Sequence, residues 1–172
     1  MLAFIILNGI IVVESGTKWH KVGGKTMFKG QYRHNLDDKG RLVLPTKFRE
    51  KLSVGAVITI GYDGCLTIYT AEGWKKCIDE LLSKPMTSLA VRKTMRVLTG
   101  NASDIELDKS GRVKIPDYLL SDAGISKEVT IVGLGSVIEV WATDRWLKEQ
   151  SVDKADFESD AEQLYFLDKK GM

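Results

Sequence analysis

Across 172 residues, 44% hydrophobic and 28% charged, the composition is that of a globular chain with length for one sizeable core or two small ones. A formal net charge of +2 excludes a bulk polycation, so any nucleic-acid contact has to rest on local clusters of Lys and Arg. Two cysteines, Cys65 and Cys77, lack C-x-x-C spacing, and the two histidines are His20 and His34; neither a disulfide framework nor a zinc site is supported, no cofactor is implied, and a reducing cytosol is the default compartment.

At the N-terminus, Leu2 to Val13 is almost wholly apolar, but Asn8-Gly9 interrupts it, and about twelve residues fall short of the roughly twenty that cross a bilayer. With no basic segment before it and no A-x-A-like cleavage site, it does not read as a secretory signal. Residues 1–26 are expected to lie outside the fold, with Met27 a candidate natural start; Gly23-Gly24 is compatible with a ribosome-binding stretch just ahead of it.

Past Met27, the alternation of Tyr32, His34 and Leu36 predicts a strand, Asp37 to Gly40 a turn, and Arg41 to Leu44 a second short strand closed by Pro45. Leu42 and Leu44 share one face of that strand, so Arg41 falls on the other. Thr46 to Leu52 follows as a short helical stretch, since a proline at a helix start gives up no needed donor. Val57 to Ile60 and Leu66 to Tyr69 then flank Gly61-Tyr62-Asp63-Gly64, a hairpin with a glycine-rich break.

Trp74, Cys77, Ile78, Leu81 and Leu82 have the i, i+3, i+4, i+7, i+8 spacing of an amphipathic helix, and Pro85 separates it from a second helix near Met86 to Leu98. Beyond these the first pattern returns. Leu36, Asp37, Gly40, Arg41 and Pro45 recur 71 residues later as Leu107, Asp108, Gly111, Arg112 and Pro116. After one inserted residue the match resumes, pairing Gly61 with Gly133, Ile68 with Val140, Tyr69 with Trp141 and Trp74 with Trp146. The second copy thus predicts a strand through Ile105 and Leu107, a strand with Val113 and Ile115 on one face, a helical stretch from Asp117 to Ala123, and a hairpin of Val129 to Val132 and Val137 to Trp141 around Gly133 to Ser136. Phe157, Ala161, Leu164 and Tyr165 mark an amphipathic helix in the tail.

Repeats of about forty residues bury too little apolar surface to fold alone, so the two copies are expected to intertwine. The reading is an α+β chain whose two tandem swapped-hairpin half-domains form one pseudo-twofold, β-barrel-like core flanked by helices. Its organisation is an extension over 1–26, a first repeat over 31–73, linking helices over 74–101, a second repeat over 102–145 and a helical tail over 146–172.

Charge is segregated along the chain. Lys29 to Lys51 holds seven basic residues against three acidic, whereas Asp144 to Lys170 holds eight acidic against five basic. In each Asp-x-x-Gly-Arg turn the aspartate can accept backbone N–H bonds, the glycine can take a positive φ, and the arginine sits on a stiff strand end. Arg41 and Arg112, with Lys39 and Lys109 beside them, could therefore reach phosphate or the O6 and N7 of guanine. Asp37, Gly40, Pro45, Asp108, Gly111 and Pro116 take structural roles. The competing reading is that these are ordinary hairpin turns whose arginines pair with local carboxylates.

Other features carry less. Arg92, Lys93 and Arg96 read as a solvated helix face, His34 as a packed or surface histidine, and Cys65 and Cys77 as small hydrophobes. Asp37 and Asp38, as chain neighbours, point in different directions and make no carboxylate pair; no G-x-S-x-G is present, and Gly133-Leu134-Gly135 lacks the third glycine of a dinucleotide loop. No enzyme is read here.

Met27-Phe28-Lys29-Gly30, followed by Asp37, Gly40, Arg41, Leu42, Pro45 and Arg49 in the pattern Asp-x-x-Gly-Arg-Leu-x-x-Pro-x-x-x-Arg, resembles the opening of MraZ proteins. Leu107 to Pro116 and Ile138-Glu139-Val140-Trp141 resemble that family's second half. The resemblance implies a fold like that of AbrB-type regulators, ring-shaped homo-oligomers, and binding of double-stranded DNA at short G-rich direct repeats upstream of the division and cell-wall gene cluster that holds the protein's own gene. It places the DNA contact on Arg41 and, through the repeat, on Arg112; Lys39 and Lys109 are an extension of that assignment. It implies no small-molecule substrate and no membrane partner, and a cytoplasmic, nucleoid-associated location. An antitoxin-like protein that also binds a toxin, or a structural oligomer, are the alternatives.

A chain starting at Met27 is expected to fold and to bind DNA as the full chain does, because the apolar run has no repeat partner. Matched thermal melts and gel shifts of the two forms decide this, and loss of either property in the shorter form contradicts it.

Overall fold

The computed structural model describes residues 5–7, 10–12 and 27–170. Two short strands near the N-terminus, β1 (Ile5–Leu7) and β2 (Ile10–Val12), pair antiparallel with each other in a sheet of their own. The rest of the expected extension, residues 1–4, 8–9 and 13–26, lies outside the described residues.

A six-stranded antiparallel sheet carries the fold. Its strands are β3 (Phe28–Asn35), β5 (Ala56–Ile60), β6 (Leu66–Thr70), β7 (Ser103–Ile105), β9 (Glu128–Gly135) and β10 (Val137–Ala142), in the order β3-β9-β10-β6-β5-β7. The remaining strands, β4 (Arg41–Val43) and β8 (Arg112–Lys114), form a separate two-stranded ribbon. The order is a palindrome in the two repeats: the first strand of each copy pairs with the other copy's hairpin, β3 on β9 and β7 on β5.

Register places the pseudo-twofold axis on named residues. In the ribbon Leu42 faces Val113, and these are repeat equivalents of each other, so the axis passes between them. In the sheet Thr67 faces Glu139, again equivalent positions, at the junction of β6 and β10. The two copies are therefore swapped-hairpin half-domains of one body, as the repeat predicts.

The core follows from the alternation. Leu42, Leu44, Val113 and Ile115 from the ribbon strands and their ends are at most 1% exposed and belong to one cluster with Ile58, Ile68, Ile131 and Ile138 of the sheet. Two short helices close its sides. Pro45 precedes α1 (Thr46–Leu52), which buries Phe48 and Leu52, and Pro116 precedes α4 (Asp117–Asp122), which buries Leu119 and Leu120. Phe48 meets Phe28 and Tyr32 of β3 edge-on at 5.1 and 5.4 Å, which docks α1 on the sheet edge. The expected barrel-like core is thus an open sheet with β3 and β7 at its ends, its apolar interior closed by the ribbon and these helices.

Between the copies lie α2 (Ala71–Leu82) and α3 (Leu89–Gly100), neither with a fully buried residue. Thr70 caps α2 by accepting a 3.0 Å bond from the Gly73 N–H, and the Thr59 hydroxyl ties β5 to α3 by donating to Leu98 O at 2.7 Å. The chain ends in α5 (Thr143–Lys170). Of the predicted tail stripe, Phe157 and Ala161 are exposed, and the side chains of Leu164 and Tyr165 lie outside the described residues. Among the described residues no helix is long and apolar enough to cross a membrane.

Several strand boundaries differ from expectation: β3 stops at Asn35, short of Leu36, and β7 at Ile105, short of Leu107. β9 runs through Gly133 to Gly135, and because Leu134 pairs with Val137 the hairpin turns on Gly135 and Ser136, with Gly135 at φ +67°. Gly133 sits opposite Gly30, and a Cβ added there would overlap the backbone of Phe28 and Lys29, so this glycine permits the close approach of β3.

Leu42→Ala should cost about 2–5 kcal/mol, since Leu42 is 0% exposed and sits on the axis where both copies meet. Denaturant unfolding measures it, and a loss well under 1 kcal/mol would remove the ribbon from the centre of the fold.

Candidate nucleic-acid interface

The two Asp-x-x-Gly-Arg turns are built alike, atom for atom. In the first, Asp37 Oδ1 accepts the backbone N–H groups of Lys39 at 3.0 Å and Arg41 at 2.9 Å, while Asp37 Oδ2 accepts Arg41 Nε at 2.7 Å. In the second, Asp108 Oδ1 accepts Ser110 N–H at 2.8 Å and Arg112 N–H at 2.9 Å, and Asp108 Oδ2 accepts Arg112 Nε at 2.7 Å. Gly40 and Gly111 supply the positive φ, +67° and +74°, that closes each turn.

These bonds fix the ionisation of both carboxyls. Backbone donation from Arg41 is the largest effect on Asp37 and holds its carboxyl below the ordinary 3.8; the guanidinium adds to it against some desolvation. Asp108 is held down in the same way by Arg112.

The ribbon brings the turns together. Leu44 N–H donates to Gly111 O at 3.0 Å and Ile115 N–H to Gly40 O at 3.2 Å, so each turn is bonded to the strand end of the other copy. Arg112 Nη1 lies 3.8 Å from Asp37 Oδ2, which links the two turns electrostatically. Arg41 and Arg112 are about one-third exposed, at 31% and 30%, and Lys39 and Lys109 are fully at the surface. Pairing with local carboxylates, the competing expectation, does occur, and it engages Nε. With Nε engaged and the side chain 31% exposed, the terminal nitrogens of Arg41 are the end that can form a two-point fork on a guanine edge or a phosphate.

Two basic residues that sequence reasoning left without a role stand beside these turns. Arg49 Nε donates to Leu44 O at 2.8 Å, and its guanidinium covers Gly111; Lys114 Nζ pairs with Asp117 Oδ1 at 2.6 Å, over Gly40. Their signal was in the repeat itself: each stands where the other copy has an apolar residue, Leu120 and Val43.

The remaining candidates lie elsewhere. Arg92 Nη1 donates to Met86 O at 2.8 Å and Thr87 O at 2.7 Å, fastening the segment before α3, while Lys93 and Arg96 are exposed. His34 is half-buried beside Arg33 and Glu128. Burial, aided by the Glu139 charge, pushes the Cys65 thiol up to about 12, so it packs as a hydrophobe beside Trp141 and Trp146.

The fold and site define a tandem swapped-hairpin protein that displays a pair of aspartate-anchored arginines on one ribbon. The family described as "MraZ protein, putative antitoxin-like" matches residues 27–97 and again 98–168. Over 142 residues the chain is 39% identical to a protein of Moorella thermoacetica and 38% identical to one of Heliobacterium modesticaldum, both named Transcriptional regulator MraZ; each match covers 83% of this chain and 99% of the relative. The chain belongs to the MraZ family.

Both turn carboxyls are expected to titrate below 3.8. A depressed folded pKa means that the stabilisation is complete above the unfolded value and fades only as pH falls through the folded one, so the turns should stay closed at pH 5. Carboxyl carbon NMR shifts of Asp37 and Asp108 measure the midpoints, and values at or above 3.8 would contradict the bonding described.

Proposed function

We propose that this protein is a sequence-specific DNA-binding transcriptional regulator, acting in the cytoplasm at the nucleoid. The observation that carries the reading is the pair of matching turns, each presenting a part-exposed arginine whose Nε is anchored on the turn's own aspartate. The names of the relatives support it, as does the local excess of basic residues from Lys29 to Lys51.

In finer detail, Arg41 and Arg112 contact DNA, with Lys39 and Lys109 adding charge beside them. The target is a set of short G-rich direct repeats in the promoter of the protein's own gene, ahead of the division and cell-wall cluster. A ring-shaped homo-oligomer engages consecutive repeats, so that linked weak contacts multiply. The repeat limits that frame this reading are 31–73 and 102–145, with helices between and after them.

Arg41→Ala should abolish binding to tandem G-rich repeats and Arg112→Ala should come close, with melting points near that of the unaltered protein, because both side chains lie opposite the buried Leu42 and Val113 face and truncating them opens no core cavity. Loss of a guanine contact costs roughly 1–3 kcal/mol per site and relaxes sequence preference; loss of a phosphate contact weakens all sequences alike and lowers the salt slope by about one. Salt-dependent gel shifts with a scrambled control separate these. Unchanged affinity in both variants sinks the proposal, and a small toxin co-purifying in its place would favour the antitoxin-like alternative.

A further inference from the structure

The backbone bonds of the two turns obey the pseudo-twofold axis, but the side chains that cover them do not. Over Gly111 lies the guanidinium of Arg49, a residue of the first repeat, held by its 2.8 Å bond to Leu44 O. Over Gly40 lie the ammonium of Lys114, 2.7 Å from where a glycine Cβ would stand and paired with Asp117, and at 3.4 Å the Cδ1 methyl of Leu120, the repeat equivalent of Arg49. Gly111 is buried under its cover and Gly40 is only half-buried. The covers also differ in burial and anchoring. Arg49 is half-buried and bonded to backbone, whereas Lys114 and Asp117 are 50% and 84% exposed.

We propose that Arg49 is a positioning residue for Arg112: its planar guanidinium, laid across Gly111 from the other repeat, stiffens the second turn, so that Arg112 is the fixed arginine of the pair and Arg41 the adaptable one. This rests on the DNA-binding reading for its consequence, though not for its structural content. A flat, delocalised group fixed through Nε covers a glycine in a way that a flexible ammonium cannot. The axis would otherwise make the two arginines equivalent. Under this asymmetry Arg112 enters DNA with its geometry already set and Arg41 orders on contact, which gives each protein module a direction along the duplex.

The first arm needs no DNA. Hydrogen–deuterium exchange on the unaltered protein should show slower amide exchange in peptides over residues 108–112 than over 37–41, and Arg49→Lys or Arg49→Leu should remove the difference while leaving 37–41 as it was. Equal protection of the two turns in the unaltered protein overturns the proposal even if both variants misfold. The second arm measures affinity for the tandem repeats. Arg49→Lys should weaken binding about fivefold with an unchanged salt slope, and should have no further effect in an Arg112→Ala background. Full activity in Arg49→Lys, a fall of about one in the salt slope of Arg49→Leu, or additivity with Arg112→Ala would make Arg49 a direct phosphate contact and overturn the positioning role. If the unaltered protein binds no DNA, the functional reading fails by itself, and the exchange arm still decides what Arg49 does.

Discussion

Leu42 meets Val113 on the pseudo-twofold axis with both side chains out of water, and nearly everything else depends on that register. Side chains alternate along a strand, so a slip of one residue in β4 or β8 would turn Leu42, Leu44, Val113 and Ile115 out of the core. The same slip would carry Arg41 and Arg112 inward. Apolar burial therefore holds the arginines at the surface, and the display is maintained by the whole core. The swapped pairing of β3 with β9 and β7 with β5 extends this coupling, because neither half can open its sheet without taking a strand from the other.

A carboxylate at the root of each arginine is at first sight a poor choice for a surface meant to meet a polyanion. Its bonds explain it. Asp37 and Asp108 each accept two backbone N–H groups and one Nε–H, so much of their charge is spent within the turn. In return a long side chain loses rotamer freedom before any ligand arrives, and that ordering cost is no longer charged against binding. The low net charge of the chain is consistent with such a site, since counterion release depends on the few cations that touch phosphate and little on the total.

Asymmetry enters through side chains that the repeat does not share. Arg49 aligns with Leu120 and Lys114 with Val43, so each copy lends the other a cation from a position at which its counterpart is apolar. The glycine set aside as an incomplete dinucleotide loop has a comparable explanation. Gly133 is required because β3 runs against it, a contact between residues 28–30 and 133 that no local pattern reveals.

The sequence by itself determined the repeat, the Asp-x-x-Gly-Arg turns, the apolar faces of β4 and β8, the helix starts after Pro45 and Pro116, the amphipathic α2 and the presence of a second helix after Pro85. Each of these is written in spacing or turn chemistry over a few residues. Tertiary structure alone decided that the sheet stays open, that β9 extends through Gly133, and that Arg49 and Lys114 cover the opposite turns. The physical reason is sequence distance. Alternation and turn propensity act over about ten residues, whereas these features arise where chain segments some sixty to one hundred residues apart are brought together by the axis between Leu42 and Val113.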